Sequence, residues 1–314
     1  MVASVENQRH PDGGNAVTAL SGDPALPAAA LLAWFDAHAR DLPWRRPGTT
    51  AWGILVSEVM SQQTPVARVA PRWSEWLARW PAPADLAAAG ADEVLRAWGG
   101  LGYPRRALRL RAAAAAIVAE HGGAVPADPA ALRALPGVGD YTAAAVAAFA
   151  FGAAVPVVDV NVRRVLRRHR QGRPLPGAHR AADAPAVAAL LPARDAARFS
   201  AALMELGAVV CVARGPDCAR CPVAAGCRWR AAGRPGPSAA EAAAARRRVQ
   251  RFEGTDRQVR GKLLKVLREA DAPVAQEVLD AVWDDPVQRA RALDSLLADG
   301  LAEQDRRGRF RLPR

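Results

Sequence analysis

Apolar residues recur at intervals of three and four along most of the chain, and period-two alternation is almost absent. This pattern, interrupted by Pro and Gly, predicts an entry helix over residues 27–38 and an all-α body that follows it. The predicted helices of the body cover residues 52–61, 66–80, 84–89, 91–98, 105–121, 129–135, 140–151, 162–170, 182–191 and 196–210.

The two ends of the chain differ from this helical body. Residues 1–24 are polar and predict a disordered tail, and residues 235–250 are Ala-rich, contain Arg246 and Arg247, and predict a linker. The last segment predicts three helices followed by two short extended segments, 301–304 and 309–312, which indicates a winged-helix-like module. Such a module either grips duplex DNA or binds a protein, and the sequence favours neither.

Chain length, apolar stretches and net charge limit the classes of protein to which this chain can belong. A chain of 314 residues is long enough for two compact units and a smaller appendage. The longest apolar stretches are Ala-rich and too short to span a bilayer, so we expect no membrane partner. Lys and Arg number 43 against 31 acidic residues, a net charge of +12. This excess favours a nucleic-acid partner, with a generic basic surface as the alternative.

The four cysteines of the chain, Cys211, Cys218, Cys221 and Cys227, are spaced C-x6-C-x2-C-x5-C. Thiolates this close can converge on one soft metal centre, and a single C-x2-C knuckle with flanking cysteines favours an iron–sulfur cluster over zinc. A pair of disulfide bonds is the third possible role of these cysteines. The first twenty residues lack the apolar core of a signal peptide, so we expect a reducing, cytoplasmic location.

The segment LPGVGDYTA at residues 135–143 predicts a turn between two helices. Gly137 and Gly139, with Val138 between them, leave room for a phosphodiester, and the amides that open the next helix favour an anion. The alternative is a tight turn that needs glycine only for its conformation.

Several motifs occur in the order and at the spacing found in one family. They are WGILVSEVMSQQTPVARV at 52–69, WGGLGYPRRALRLRAAA at 98–114, LPGVGDYTAAAVAAFAF at 135–151, VPVVDVNVRRVLRR at 155–168, MELGAVVC at 204–211 and the cysteine segment. Over residues 27–229 the chain resembles the helix-hairpin-helix DNA glycosylases of the iron–sulfur, endonuclease III-like branch. Within that branch, SEVMSQQT and VDVNVRR resemble the adenine-specific MutY-type enzymes.

The resemblance implies a two-lobed helix-hairpin-helix fold with a [4Fe-4S] cluster loop. It also implies a function in base excision repair. The expected reaction is hydrolysis of the N-glycosidic bond of adenine mispaired with 8-oxoguanine or guanine in duplex DNA. The enzyme is expected to be a monomer that acts at the nucleoid. The expected organisation is a tail (1–24), an iron–sulfur cluster domain (25–48 and 156–234), a six-helix barrel (49–155), a basic linker (235–260) and the winged-helix-like module (261–314).

Cleavage of this bond needs a proton for the departing base and a negative charge beside the sugar cation. Glu58 lies in an apolar helix, where burial would keep it protonated, and is the candidate acid. Asp159 opens a basic helix, where amides and arginines would keep it ionised, and is the candidate stabiliser or nucleophile. Without the family, a surface glutamate and a helix cap are the simpler interpretations. By resemblance, Tyr141 replaces the Schiff-base lysine of lyase-active relatives, and Asn161 is the polar partner of Asp159.

DNA contacts also follow from the resemblance. An enzyme that acts on a base in duplex DNA must flip it out and fill the gap, and Gln63 and Tyr103 match the residues that do so. Gln62 and Trp44 are expected to line or support the base pocket, although Trp44 alone would be assigned to the core. Arg164 and Arg220 are expected to meet phosphates. Pro104 stands where the family often has a second aromatic residue.

Two alternative functions remain at this stage. One is an endonuclease III-like glycosylase with lyase activity on oxidised pyrimidines, disfavoured by Tyr141 and VDVNV. The other is a non-catalytic iron–sulfur DNA-binding regulator, disfavoured by the pairing of Glu58 with Asp159. Many MutY-type proteins end in a β-rich domain that inspects 8-oxoguanine, and the sequence after Arg230 shows no such pattern.

Overall fold

The computed structural model describes residues 26–247 and 252–314, so the predicted tail, residues 1–24, lies outside the described residues. The described chain is mainly helical, which confirms the all-α prediction. No helix in these two ranges has the length and apolar character to cross a membrane.

Sixteen α-helices and two short strands are present in the described residues. The helices are α1 (Ala28–His38), α2 (Ala51–Ser61), α3 (Val66–Arg79), α4 (Pro83–Ala88), α5 (Ala91–Trp98), α6 (Arg105–His121), α7 (Pro129–Ala134), α8 (Asp140–Phe151), α9 (Val160–Gln171), α10 (Asp183–Ala188), α11 (Ala196–Val209), α12 (Arg228–Ala231), α13 (Ala239–Arg247), α14 (Asp256–Glu269), α15 (Gln276–Asp280) and α16 (Pro286–Ala298). The strands are β1 (Glu303–Gln304) and β2 (Phe310–Arg311), and 3₁₀ turns cover Pro43–Arg45 and Gly99–Leu101.

Two predicted boundaries were wrong for identifiable reasons. Helix α9 begins two residues earlier than predicted because Asp159 caps it, accepting a hydrogen bond from the amide of Val162 at 2.7 Å. The predicted linker contains α13, a helix with no buried residue. Alanine and arginine have high helix propensity, and that propensity outweighs the lack of a buried face.

One lobe is built around buried tryptophans in the segment between α2 and α8. Trp76 lies edge-on to Trp80 and Trp98, with ring centroids 4.6 and 5.6 Å away. The indole of Trp73 donates to the carbonyl of Gly53 at 2.7 Å, which fixes α3 against α2. These contacts hold α2, and with it Glu58, rigidly inside the lobe.

A second core joins α1, α9 and α11, with Leu31, Phe199 and Leu203 fully buried at its centre. This lobe carries the start of α9 and the cysteine segment. Helices α8 and α11 pack against each other, so the two lobes meet along that line. The meeting of the lobes brings together residues that are far apart in the sequence.

The last segment packs on the first lobe. Helices α14 and α16 pack together, and the antiparallel strands pair Glu303 with Arg311 and Gln304 with Phe310. The buried residues Val259 and Leu263 of α14 continue the core of the first lobe. We call residues 252–314 the C-terminal module. It includes the part of the predicted linker that forms the start of α14.

Candidate active site

Glu58 is a buried carboxyl group in the middle of α2. Its helix begins at Thr50, whose hydroxyl caps it by accepting from the amide of Gly53 at 3.1 Å, and runs through apolar residues. Only 9% of Glu58 is exposed. Burial raises its pKa to about 7, although a hydrogen bond with the Tyr141 hydroxyl favours the anion. Glu58 therefore keeps its proton up to about pH 7, far above the range of an exposed glutamate, which suits its predicted role as an acid.

Asp159 lies in the same cavity, at the N-terminus of α9. One carboxylate oxygen accepts from the Val162 amide at 2.7 Å and the other from the Asn161 side chain at 2.6 Å. Burial raises the pKa of Asp159, and these hydrogen bonds oppose that rise. The predicted contacts with amides are thus present, but burial outweighs them. The cap and Asn161 fix the carboxylate in one orientation.

Arg164 was predicted to contact phosphates, and this prediction is wrong. Only 6% of the residue is exposed, because its guanidinium faces the protein interior. It donates to the side-chain oxygen of Asn161 at 2.6 Å, to the Gly207 carbonyl at 2.7 Å and to the Cys211 carbonyl at 2.7 Å. The arginine thus fixes the side chain that holds Asp159.

Tyr141 lies on the first turn of α8 and lines the same cavity as Glu58 and Asp159. Burial and the two carboxyl groups raise its pKa well above the usual value, so the phenol stays protonated. Its hydroxyl is therefore available as a hydrogen-bond partner for Glu58. The sequence prediction that Tyr141 stands beside the carboxyl groups agrees with this placement.

Replacing Tyr141 by phenylalanine is expected to move the pH dependence of excision. The Tyr141 hydroxyl lowers the pKa of Glu58, so its loss allows that pKa to rise above about 7. Because the predicted role of Glu58 is that of an acid, which acts in its protonated form, the rate should then persist to higher pH than in the wild type. A single-turnover pH profile measures this, and an unchanged or acid-shifted alkaline limb would contradict it.

The cavity has a volume of about 640 Å³ and also contains polar groups that the sequence reasoning missed. Glu205 of α11 is fully buried and accepts from Arg40 at 2.7 and 2.8 Å and from Arg45 at 3.0 Å. Burial alone would raise the pKa of Glu205, but these arginines outweigh it and lower that pKa to about 2. Trp44, the residue predicted to line or support a base pocket, lines this cavity beside Arg45.

Two predicted DNA-wedge residues share a rare backbone conformation. Gln63 and Tyr103 have φ values of 57° and 47°, in the left-handed region that side chains other than glycine seldom adopt. Such strain is often found at functional sites. Arg106, which the sequence reasoning missed, fixes both loops by donating to the carbonyls of Gln62 at 2.6 Å and Gly102 at 2.9 Å. We call residues 99–104 the wedge loop.

The two glycines of the helix-hairpin-helix turn, Gly137 and Gly139, differ in their surroundings. Gly137 has φ 80°, and a Cβ there would lie 2.8 Å from the Cβ of Arg109, so the fold itself requires this glycine. Gly139 is exposed, has an ordinary φ of −97°, and a Cβ there would meet nothing within 4 Å. The side chain of Val138 is buried and its backbone amide donates to the carbonyl of Leu135 at 3.1 Å. Neither group is available to DNA, which corrects the assignment of Val138 as a DNA contact. The side-chain amide of Gln62 donates to the hydroxyl of Thr142 at 3.1 Å. Gln62 does not itself line the cavity, but this bond joins the end of α2 to α8 beside it.

All four cysteines line one small cavity at the end of α11, and all are free thiols. Burial, together with the three neighbouring thiols, raises the pKa of Cys221 to about 11. In residues 26–247 and 252–314, no three His, Cys, Asp or Glu side chains are arranged to hold a metal ion. A set of four soft thiols around one cavity nevertheless has the donor chemistry of an iron–sulfur site. Arg220 of this segment is exposed.

Comparison with known proteins shows the family of this chain. Residues 56–184 match the HhH-GPD superfamily of base excision DNA repair proteins. The chain is 59% identical over 291 residues to the adenine DNA glycosylase of Mycolicibacterium smegmatis, covering 90% of this chain and 94% of that protein. It is 44% identical over 212 residues to the adenine DNA glycosylase of Homo sapiens, covering 64% of this chain and 39% of that protein.

Solved structures show the same fold. A thermostable thymine-DNA glycosylase is 27% identical with a TM-score of 0.60, covering 65% of this chain and 95% of that one. A non-covalent endonuclease III–DNA complex is 23% identical with a TM-score of 0.57, covering 66% and 95%, and shows the fold alone. Fold and site together define a DNA N-glycosylase of base excision repair. The chain belongs to the adenine DNA glycosylases, the MutY-type family of the endonuclease III-like superfamily.

Proposed function

We propose that this enzyme excises adenine mispaired with 8-oxoguanine or guanine by hydrolysis alone, without cutting the strand. The observation that carries the proposal is the juxtaposition of Glu58 and Asp159 in one cavity, which Tyr141 also lines. By the family resemblance, Tyr141 stands where lyase-active relatives have a lysine. The acid is positioned by the first lobe and the carboxylate by the second. Both are held by fixed neighbours, as catalysis by positioned charge requires.

The chemistry follows from these two groups. Protonated Glu58 donates to N7 of adenine, so the base leaves with the electron pair of its bond to the sugar. The carboxylate of Asp159 stabilises the sugar cation that forms. Water then adds to the sugar carbon, and its proton returns to Glu58. The products are adenine and an abasic site.

Strand cleavage would need an amine that attacks the sugar aldehyde. Among the described residues that line the cavity, none is a lysine, and Tyr141 carries a phenol that cannot form an imine. Arg40 and Arg45 are both engaged with Glu205. These observations support a single-function enzyme over a lyase.

The partner base is tested by comparing duplexes that differ only opposite the target adenine. Single-turnover excision is measured with 8-oxoguanine, guanine or thymine at that position. We expect excision opposite 8-oxoguanine and guanine to be much faster than opposite thymine. Equal rates in all three duplexes would contradict the assigned mispair specificity, while leaving adenine excision itself intact.

Binding to the DNA backbone is proposed to use the 135–140 turn. Since nothing within the protein restricts the space at Gly139, Gly139→Ala is expected to fold, with a melting temperature lowered only slightly because alanine caps α8 less well than glycine. It should weaken binding to duplex DNA of any sequence, because the added methyl group meets the phosphodiester. Fluorescence anisotropy with matched and mispaired duplexes measures this. Wild-type affinity in the folded variant would contradict the backbone contact.

The four cysteines are proposed to hold a [4Fe-4S] cluster, which would order the segment between α11 and α12 and leave its exposed Arg220 to contact phosphate. A reducing cytoplasm would keep these thiols available, and we propose that the enzyme acts there as a monomer. Protein purified without oxygen is expected to contain four iron and four sulfide per chain, by the composition of such a cluster. One zinc per chain, without sulfide, would contradict it.

A further inference from the structure

The C-terminal module is fixed against the wedge loop. Asp299, at the end of α16, accepts from Arg105 of α6 at 3.0 Å and from Arg260 of α14 at 2.6 Å. At the other end of α14, Arg96 donates to the Ala270 carbonyl at 2.7 Å. Helix α14 therefore lies along α5 and the start of α6. Its first turn reaches the loop that carries Tyr103.

At that point three side chains form a stack. The guanidinium carbon of Arg257 lies 4.8 Å from the ring centre of Tyr103 and 5.5 Å from the ring centre of Phe252. Arg257 therefore contacts one aromatic ring of the wedge loop and one of the C-terminal module. The C-terminal module therefore places a second aromatic ring, that of Phe252, and the positive charge of Arg257 beside Tyr103 of the wedge loop.

Packing of the module does not account for this stack. Val259 and Leu263 of the same helix are fully buried and already join the module to the first lobe. Phe252, in contrast, is 50% exposed, and Arg257 is exposed as well. A half-exposed aromatic ring next to a guanidinium group forms a surface that suits stacking with nucleobases.

We propose that Phe252 and Arg257 are DNA-contacting residues that extend the Tyr103 wedge, and that they act on the duplex from which the adenine has been flipped. This inference rests on the proposed function of Tyr103. Flipping exposes a base face that intact duplex hides, so the Phe252 ring gains a stacking partner only in the distorted complex. Arg257 supplies a charge for the phosphate beside it. The stacking contribution of Phe252 should favour mispaired over matched DNA, whereas the phosphate contact of Arg257 should strengthen binding to both.

The test measures binding without excision. Affinities of full-length Phe252→Ala and Arg257→Ala are compared for a duplex carrying uncleavable 2′-fluoro-2′-deoxyadenosine opposite 8-oxoguanine and for the matched duplex. Phe252→Ala is expected to bind the mispaired duplex about tenfold more weakly, on the scale of one lost base stack, with a smaller change for matched DNA. Arg257→Ala is expected to bind both duplexes more weakly, since a phosphate contact does not depend on the mispair. Phe252→Trp should restore the preference.

The control is Lys265→Ala, which removes an exposed charge from the same helix and should bind as the wild type does. The proposal is overturned if Phe252→Ala keeps the wild-type preference for mispaired DNA, if Arg257→Ala binds either duplex as tightly as the wild type does, or if the affinity of a variant falls only in step with its melting temperature. The binding measurement involves no reaction, so it tests this proposal alone. Failure of the wild-type protein to excise adenine, measured in a separate assay, would refute the proposed function instead.

Discussion

Glu58→Gln is expected to abolish adenine excision while leaving DNA binding intact. Glutamine has nearly the same shape but carries no proton that it can give to the base, so the rate should fall by about 10²–10⁴-fold, the usual contribution of a general acid. Burial holds the pKa of Glu58 at about 7. In the wild type, excision should therefore decline as the pH rises above about 7, where Glu58 loses its proton.

Single-turnover kinetics at several pH values measure both effects. Glu120→Gln is a matched control, because Glu120 is an exposed carboxylate near the end of α6 that does not line the cavity. It should excise adenine at the wild-type rate. Full activity in Glu58→Gln would refute the acid assignment, and a rate that does not fall at alkaline pH would refute the role of its proton.

Asp159→Asn is the second variant with a large expected effect. Asparagine is an equally good helix cap, so α9 and the fold should survive. The variant lacks the negative charge that stabilises the sugar cation, and excision should fall on the order of 10²–10³-fold, as when a group that stabilises transition-state charge is removed. Single-turnover excision, with melting temperature as the check on folding, measures this.

The matched control is Asp128→Asn. Asp128 also caps a helix, accepting from the amide of Ala131 at 2.8 Å, but it lies on α7 and does not line the cavity. If both aspartate variants excise adenine normally, Asp159 is only a cap. If Asp159→Asn alone is inactive yet remains folded, its charge is required for the reaction.

The parts of the site that could be predicted are those encoded by local sequence. An acid within an apolar helix predicts a buried carboxyl group, and Asp159 stands where a helix begins. Both patterns lie within one element, so the sequence shows them directly. The structure adds the contact between the two lobes, which brings these carboxyl groups into one cavity.

The parts that were missed depend on contacts between distant segments. Glu205 pairs with Arg45 across 160 positions, and neither residue has a local pattern that indicates the pairing. Arg164 was misassigned because α9 is basic along its whole length, so the pattern does not show which arginine turns inward. The stack of Tyr103, Arg257 and Phe252 likewise depends on how the C-terminal module packs.

The central claim is that this enzyme excises adenine by hydrolysis and leaves the strand intact. It is tested most directly with an end-labelled duplex containing adenine opposite 8-oxoguanine, incubated with the enzyme and divided between an alkaline and a neutral quench. A duplex with an oxidised pyrimidine is treated in parallel. We predict breaks only in the adenine duplex and only after alkali. Breaks without alkali, cleavage of the pyrimidine duplex alone, or binding with no excision would contradict the claim.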